Sequence, residues 1–179
     1  MVYIFLADGF EIIEAMAPVD MLRRAGIEVK MVGVGGSVIQ SSCGVKITAD
    51  ISEEEFSSEN AQAIIIPGGM PGVKNLEASS FVQNAIDKAA EKETLICAIC
   101  AGPSILGHKG LLNGKSAVCY PGFEEALSGA VLSDEFVVTD GQYITAKGAG
   151  VSVDFGLEIV KQLAGEATAD KVRKAIQCR

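Results

Sequence analysis

The chain has 179 residues, a size that fits one domain with a sizeable hydrophobic core. A net charge of −8 argues against a nucleic-acid partner, and no apolar run approaches the roughly 20 residues of a membrane span. The N-terminus lacks the basic segment and cleavage site of a signal peptide, and five cysteines, an odd number, favour reduced thiols. We therefore expect a single cytoplasmic domain over residues 1–179 with no membrane contact.

Apolar runs of strand length alternate with segments of helical periodicity along the chain. Because several strands are apolar throughout, the pattern predicts an α/β sandwich with a mostly parallel sheet that is covered on both faces. An Asp-Gly pair at 140–141 predicts a β-hairpin near the end of this sheet. Strands are predicted at 2–6, 27–34, 63–66, 95–99, 116–119, 136–138 and 143–145, with one or two short ones in 38–49. Helices are predicted at 11–25, 81–92, 103–109, 151–163 and 169–176, with short turns after 52 and at 121–127.

Residues 94–104 predict a sharp strand-to-helix turn with Cys100 at its corner. Small residues follow the strand, and Pro103 suits the first turn of a helix. The pattern Ala98-x-Cys100-x-Gly102 is a cysteine version of the nucleophile elbow. A helix N-terminus lowers the pKa of a nearby thiol, so we expect Cys100 to be a nucleophilic thiolate.

Two glutamates stand near the start of the first helix. Acidic residues there complement the helix dipole, which is sufficient explanation for Glu11. Glu14 lies off the apolar stripe, so periodicity directs it to solvent, although Pro18 leaves the orientation of the first turns open by kinking the helix or resetting its start. If Glu14 faces the strand ends instead, its carboxyl would have a raised pKa and would donate a hydrogen bond to Cys100.

The loop 67–72 is rich in glycine and follows a central strand. It is either a plain turn or a source of backbone N–H groups which, with the N–H of Ala101, would stabilise an oxyanion. Cys97 and Cys100 form a C-x-x-C pair, but Cys97 lies inside the strand, which disfavours a redox pair. With one histidine in the chain, His108, and no second C-x-x-C, neither a metal site nor a Cys–His pair is expected.

Four motifs together resemble one known family: Gly9-Phe10-Glu11-x-x-Glu14, Pro67-Gly68-Gly69-x-x-Gly72, Ala98-Ile99-Cys100-Ala101-Gly102-Pro103 and Lys147-Gly148-Ala149-Gly150. This is the DJ-1/ThiJ/PfpI family, and the chain is similar to its bacterial branch close to the Parkinson-associated protein deglycase. The resemblance implies a flavodoxin-like three-layer sandwich, usually a homodimer. It implies Cys100 as the reactive nucleophile, Glu14 as the protonated carboxyl beside it, and Gly69 and Ala101 as N–H donors.

Two departures from the family pattern limit what is carried over. Tyr120 stands where some close relatives have histidine, and Ala101 stands where the protease-like branch has histidine. A hydrolytic triad is therefore not expected, and a Cys–Glu dyad remains, with Tyr120 as a possible substrate contact.

The resemblance implies a cofactor-free, metal-free enzyme of the glyoxalase or protein deglycase type, which acts on small carbonyl substrates such as 2-oxoaldehydes or on their protein adducts. The alternative is an oxidative-stress sensor or chaperone-like protein in which Cys100 is oxidised to the sulfinate. Both use one site, so the sequence does not separate them, and it leaves the roles of Cys43 and Cys119 open.

Overall fold

A computed structural model describes residues 1–178. In chain order the elements are β1 (Val2–Leu6), α1 (Ile12–Arg24), β2 (Val29–Gly33), β3 (Val38–Gln40), β4 (Lys46–Thr48), β5 (Ile51–Ser52), β6 (Ala63–Ile66), α2 (Gly72–Ala78), α3 (Ser80–Glu91), β7 (Leu95–Ile99), α4 (Pro103–His108), β8 (Ser116–Ala117), β9 (Val131–Leu132), β10 (Val137–Asp140), β11 (Tyr143–Ala146), α5 (Ser152–Ala164) and α6 (Glu166–Ala175). Short 3-10 turns occupy Glu53–Glu55, Glu124–Leu127 and Ala149–Val151.

The central sheet has seven strands in the order β10-β11-β7-β6-β1-β2-β5. Every neighbouring pair is parallel except β10 and β11, which form the antiparallel hairpin predicted from the Asp-Gly turn. Two small pairs, antiparallel β3-β4 and parallel β8-β9, lie outside this sheet. The predicted fold class, an α/β sandwich with a mostly parallel sheet, is confirmed.

The sheet is buried on both faces because its strand residues alternate between two hydrophobic clusters. On β1, Val2, Ile4 and Leu6 pack toward α1, α5 and α6, whereas Tyr3 and Phe5 pack toward α2, α3 and α4. Helices α1 and α5 approach closely, since a Cβ on Gly156 of α5 would lie 2.8 Å from the Cα of Pro18. The helices and strands therefore form three layers, with the sheet in the middle.

Several local predictions differ from the structure. Pro18 neither splits α1 nor resets its start, because α1 runs unbroken from Ile12 to Arg24. The strand predicted at 116–119 is only two residues long and pairs with β9 rather than with the central sheet. Helix α2, at Gly72–Ala78, was not predicted, because the glycine and proline before it indicated only a turn.

The parallel strands set the position of three loops. The chain leaves β1, β6 and β7 at the same edge of the sheet, so residues 7–11, 67–71 and 100–102 lie next to one another. Within residues 1–178, none of the helices is both long and apolar enough to cross a membrane.

Candidate active site

Cys100 lies at the sharp turn that follows β7. Its φ of +64° falls in the left-handed region, which is unusual for a residue with a side chain. The backbone is anchored on both sides: its N–H donates to the Ala146 carbonyl at 2.8 Å, and its carbonyl accepts from the Tyr120 N–H at 2.8 Å. Gly102 completes the turn, because a Cβ there would lie 2.7 Å from the Ile66 carbonyl oxygen. Cys100 is thus held in the geometry of a nucleophile elbow.

Glu14 points into the protein from the first turn of α1. It is 1% exposed, whereas its neighbour Ile13 is 53% exposed. The charged side chain is thus buried and the apolar one faces solvent, the opposite of the usual distribution. Glu14 shares the inward face of α1 with Pro18 and Met21, at i, i+4 and i+7. Of the two orientations left open by the sequence, the one directed to solvent is wrong, and Glu14 faces the strand ends.

Three groups hydrogen bond to the Glu14 carboxyl. The Gly68 N–H donates to Oε2 at 2.9 Å, and the Ala149 N–H and the Cys100 side chain also bond to the carboxyl. These donors come from the loop after β6, the turn after β11 and the elbow. The structure thus brings together the predicted pair Glu14 and Cys100, and it adds Ala149, which was not predicted.

Gly68 separates the carboxyl from the sulfur. A Cβ on this residue would lie 2.6 Å from the Cys100 Cβ and 3.0 Å from its Sγ, and it would also collide with the Glu14 carboxyl. The close approach of the two side chains therefore requires glycine at position 68.

The protonation of Glu14 is shifted toward neutral pH. Burial is the main cause and raises its pKa from 4.5 to about 7, while the hydrogen bonds from Cys100 and Gly68 oppose this increase. At pH 7 the Glu14 carboxyl is therefore protonated in a substantial fraction of the protein molecules. A protonated carboxyl can act as a proton donor.

The thiol of Cys100 behaves differently from the sequence prediction. Burial, followed by the charge and hydrogen bond of the Glu14 carboxylate, raises the Cys100 pKa to about 12, so the predicted lowering by the helix end is wrong. The N–H groups of Ala101 and Gly69 bond to the sulfur and lower its pKa, but they do not outweigh the other effects. Helix α4, with only six residues, contributes a weak dipole.

The two groups together lose one proton near pH 7 and the second near pH 12. Between these values the pair carries one proton and one negative charge. The proton resides either on the sulfur, beside a carboxylate, or on the carboxyl, beside a thiolate.

Gly69 lies where two loops pack tightly. Its φ is +92°, and a Cβ would lie 2.6 Å from the Gly9 carbonyl oxygen, so the loop requires glycine here as well. The Glu11 N–H donates to the Gly68 carbonyl at 2.9 Å, which ties the start of α1 to this loop. The side chain of Glu11 turns away and accepts from the Ser42 hydroxyl at 2.9 Å.

Tyr120 lies beside the sulfur but faces solvent. The residue is 50% exposed. A Cβ on Gly148 would lie 3.2 Å from the Tyr120 ring and 3.9 Å from Cys100 Sγ, so Gly148 leaves open a small space between them. The Tyr120 ring and the Cys100 sulfur therefore both lie close to Gly148.

The other cysteines and the histidine lie apart from this arrangement. All five cysteines are free thiols; Cys97 and Cys119 are buried and Cys43 is exposed. His108 ends α4 and pairs with Glu77 on the surface. No group of three or more metal-ligating side chains occurs within residues 1–178.

Two groups at this site were missed in the sequence. Ala149 donates its backbone N–H to Glu14, and Ala146 accepts from the Cys100 N–H. Both act through backbone atoms, which a residue type does not reveal; the motif 147–150 indicated the segment but not this contact.

The chain is similar to known proteins over nearly its whole length. The chain is 35% identical over 176 residues to protein dj-1beta of Drosophila melanogaster, a match that covers 97% of this chain and 94% of that protein. It is 29% identical over 168 residues to the glutathione-independent glyoxalase DJR-1.2 of Caenorhabditis elegans, covering 93% and 89% of the two chains.

The fold matches solved structures closely. One is the oxidized form of Toxoplasma gondii DJ-1, with a TM-score of 0.95, 31% identity, and coverage of 99% of this chain and 97% of that one. The model of the DJ-1/PfpI family matches residues 1–162. On the fold, these relatives and this match, the chain belongs to the DJ-1/PfpI family.

Proposed function

We propose that the protein is a cofactor-free glyoxalase that converts 2-oxoaldehydes to 2-hydroxy acids with a Cys100–Glu14 dyad, and that it acts on related protein adducts as a deglycase. The observation that carries the proposal is a half-buried sulfur at a strained turn, next to a carboxyl group whose pKa is raised to about 7. A relative named as a glyoxalase supports the reaction class.

The first step forms a bond between sulfur and carbon. In the reactive form of the pair, the Cys100 thiolate adds to the aldehyde carbon of methylglyoxal, and the Glu14 carboxyl gives its proton to the oxygen to yield a hemithioacetal. The N–H groups of Gly69 and Ala101, which bond to the sulfur in the resting protein, are close enough to stabilise the developing oxyanion. Tyr120 would contact the remainder of the substrate.

In the second step the former aldehyde carbon is oxidised and the former ketone carbon is reduced, within the same substrate molecule. Glu14, now a carboxylate, removes the proton from the former aldehyde carbon and returns it to the former ketone carbon, while the hydroxyl proton of the hemithioacetal passes to the former ketone oxygen. The product is a thioester of Cys100 and a 2-hydroxy acid. Water then hydrolyses the thioester, which releases lactate and the thiol, so methylglyoxal and one water give lactate.

The test measures lactate formed from methylglyoxal by the native protein and by Cys100→Ser. We expect turnover to fall at least about a thousandfold in the variant, because serine is a far weaker nucleophile here. Cys43→Ser, at an exposed position, is the matched control and should keep full turnover. Equal lactate formation by Cys100→Ser and native protein would disprove the dyad mechanism.

A second candidate function rests on the same sulfur. Two N–H donors and a carboxyl that is partly protonated at neutral pH surround Cys100, an arrangement that would stabilise a sulfinate, and one related structure is described as oxidized. Treatment with dilute peroxide should add two oxygens to the native protein but none at this position in Cys100→Ser. Rapid oxidation together with no lactate formation would favour a redox sensor over the enzyme.

We also propose that the chain forms a homodimer in the cytoplasm, as the family resemblance implied. Exposed apolar side chains, among them Ile13, Val38 and Val45, support a protein interface. Sedimentation should give about twice the chain mass of 18.6 kDa, and a monomer at micromolar concentration would contradict the proposal.

A further inference from the structure

A cavity lies at the opposite end of the parallel strands from Cys100. Its volume is about 600 Å³, and it is lined by Gln62 before β6, Leu95 at the start of β7, and Tyr143 at the start of β11. Cys100 follows the other end of β7, a strand of five residues, which places the cavity about 15 Å from the sulfur. This cavity is therefore separate from the proposed active site.

The hydroxyl of Tyr143 is the most informative group in the cavity. The residue is only 7% exposed, and its hydroxyl has no hydrogen-bond partner among the described residues. Within residues 1–178, every fully buried side-chain nitrogen or oxygen does have a partner. The Tyr143 hydroxyl is therefore not fully buried, and because Tyr143 lines the cavity, this hydroxyl is available there to donate to or accept from a ligand.

Two amide side chains add hydrogen-bond acceptors. Gln142 uses its Nε2 to donate to the carbonyls of Ala89 and Thr94, at 3.4 Å and 3.3 Å. Gln162 uses its Nε2 to donate to Glu158 at 2.8 Å. Because carbonyls and carboxylates accept only, these contacts fix both amide orientations and leave both Oε1 atoms as acceptors in the lining.

The charged groups of the cavity favour a cation. Lys115 lies in the lining, but its ammonium already pairs with Asp140 at 3.4 Å. Glu93 also lies in the lining and has no partner within the described part of the chain. The unpaired charge is thus negative, and acceptors predominate around it.

We propose that this cavity binds a small aliphatic ammonium ion. The ammonium would donate to Glu93 and to the free acceptors of Gln142 and Gln162, with the Tyr143 hydroxyl as a further acceptor. A short alkyl chain would pack against Leu95 and the other apolar lining residues, Leu111 and Leu163. A free amine and the side chain of a lysine share this chemistry.

The test is titration calorimetry with three probes of one length: n-pentylammonium, 1-pentanol and pentanoate. Only n-pentylammonium should bind one-to-one. Glu93→Gln should weaken it at least about tenfold, the effect of losing a charged hydrogen bond. Tyr143→Phe keeps the ring and should weaken it about threefold to tenfold. Glu91→Gln, an exposed acid outside the cavity, is the matched control and should bind normally.

A further probe separates the two sources of the ammonium group. The peptide acetyl-Gly-Lys-Gly-amide should bind as well as n-pentylammonium if a lysine side chain is the natural occupant, and at least about tenfold more weakly if a free amine is. No heat with n-pentylammonium, equal binding of pentanoate, or unchanged binding by Glu93→Gln would each overturn the proposal. Turnover of methylglyoxal by Tyr143→Phe is a separate readout that reports only on the active site.

Discussion

The two ends of strand β7 differ in how completely their polar groups are paired. At the end that carries Cys100, the carboxyl of Glu14 bonds to Gly68, Ala149 and the sulfur, and the sulfur bonds to two further N–H groups. At the other end, the Tyr143 hydroxyl has no partner among the described residues. Full pairing fixes two reacting groups in one geometry, whereas free donors and acceptors are what a ligand needs. The difference predicts chemistry at one end and reversible binding at the other.

The largest effect is expected from Glu14→Gln, which removes the proton donor and leaves the sulfur in place. Turnover of methylglyoxal should fall by about 10²- to 10⁴-fold. The pKa of Cys100 should decrease from about 12, because the carboxylate that raises it is lost. Turnover assays and absorbance of the thiolate at alkaline pH measure these two quantities.

The matched control for this change is Glu11→Gln, an acid at the start of the same helix whose side chain bonds to Ser42 instead. It should leave the Cys100 pKa unchanged and should change turnover far less than Glu14→Gln, because the Glu11 charge is only a minor cause of the raised Glu14 pKa. A Glu14→Gln variant with native turnover would show that the pairing at this end of the strand is structural only.

The pH dependence of kcat/KM should be the next largest effect. Below the Glu14 pKa of about 7, both members of the pair are protonated and no nucleophile exists. As the pH rises through about 7, the pair loses its first proton, so kcat/KM should increase, and should be about a hundredfold lower at pH 5 than at pH 9. A profile that decreases over this range would contradict the one-proton form as the reactive one.

Gly68→Ala tests whether the closeness of the two side chains matters. The added methyl would lie 3.0 Å from Cys100 Sγ and would push the carboxyl and the sulfur apart. We expect a loss of about 1–3 kcal/mol in the free energy of unfolding and at least about a tenfold decrease in turnover. Chemical denaturation and lactate assays measure the two losses.

Gly150→Ala serves as the control for this substitution, since a Cβ at that glycine meets no atom within 4 Å. It should retain native stability and turnover. If both variants behave alike, the spacing around Gly68 has no role in the reaction.

The smallest effects compare the hydroxyls of two buried residues, one from each end of the sheet. Ser104 donates to the Ala101 carbonyl at 2.7 Å, so Ser104→Ala should destabilise the protein by about 1 kcal/mol. Tyr143→Phe removes a hydroxyl without a partner among residues 1–178 and should change the free energy of unfolding by less than about 0.5 kcal/mol. Urea denaturation of both variants checks the contrast, and a larger loss for Tyr143→Phe would show a hidden partner.

Most of the fold follows from local sequence signals. The apolar runs 63–66 and 95–99 match β6 and β7, and the Asp-Gly pair marks the only antiparallel pairing in the seven-stranded sheet. Steric rules tied to single residues are local, so the turn at Cys100 could be predicted from its small neighbours and Pro103. Helix α2 could not, because the glycine and prolines before it favour a turn, and burial of Leu76 against the sheet decides otherwise.

The electrostatics of the site could not be predicted in the same way. The inward face of α1 is recognisable as Glu14, Pro18 and Met21 at helical spacing, but a glutamate and a proline are not read as an apolar stripe. The pKa of Cys100 depends on burial and on Glu14, two properties of the assembled structure, and the local rule about helix ends gave the wrong direction. The cavity at Tyr143 brings together five segments of the chain and has no local signal at all.

The hydrogen bond from Ala149 to Glu14 joins a residue near the beginning of the chain to one near its end. During synthesis on the ribosome, Cys100 emerges well before Ala149, so the nascent polypeptide has a cysteine without its complete set of neighbours. Until the last strand and helix α5 have emerged, that cysteine has the solvation and acidity of an ordinary exposed thiol. The reactive arrangement thus arises only once translation is nearly complete, and truncated products cannot contain it.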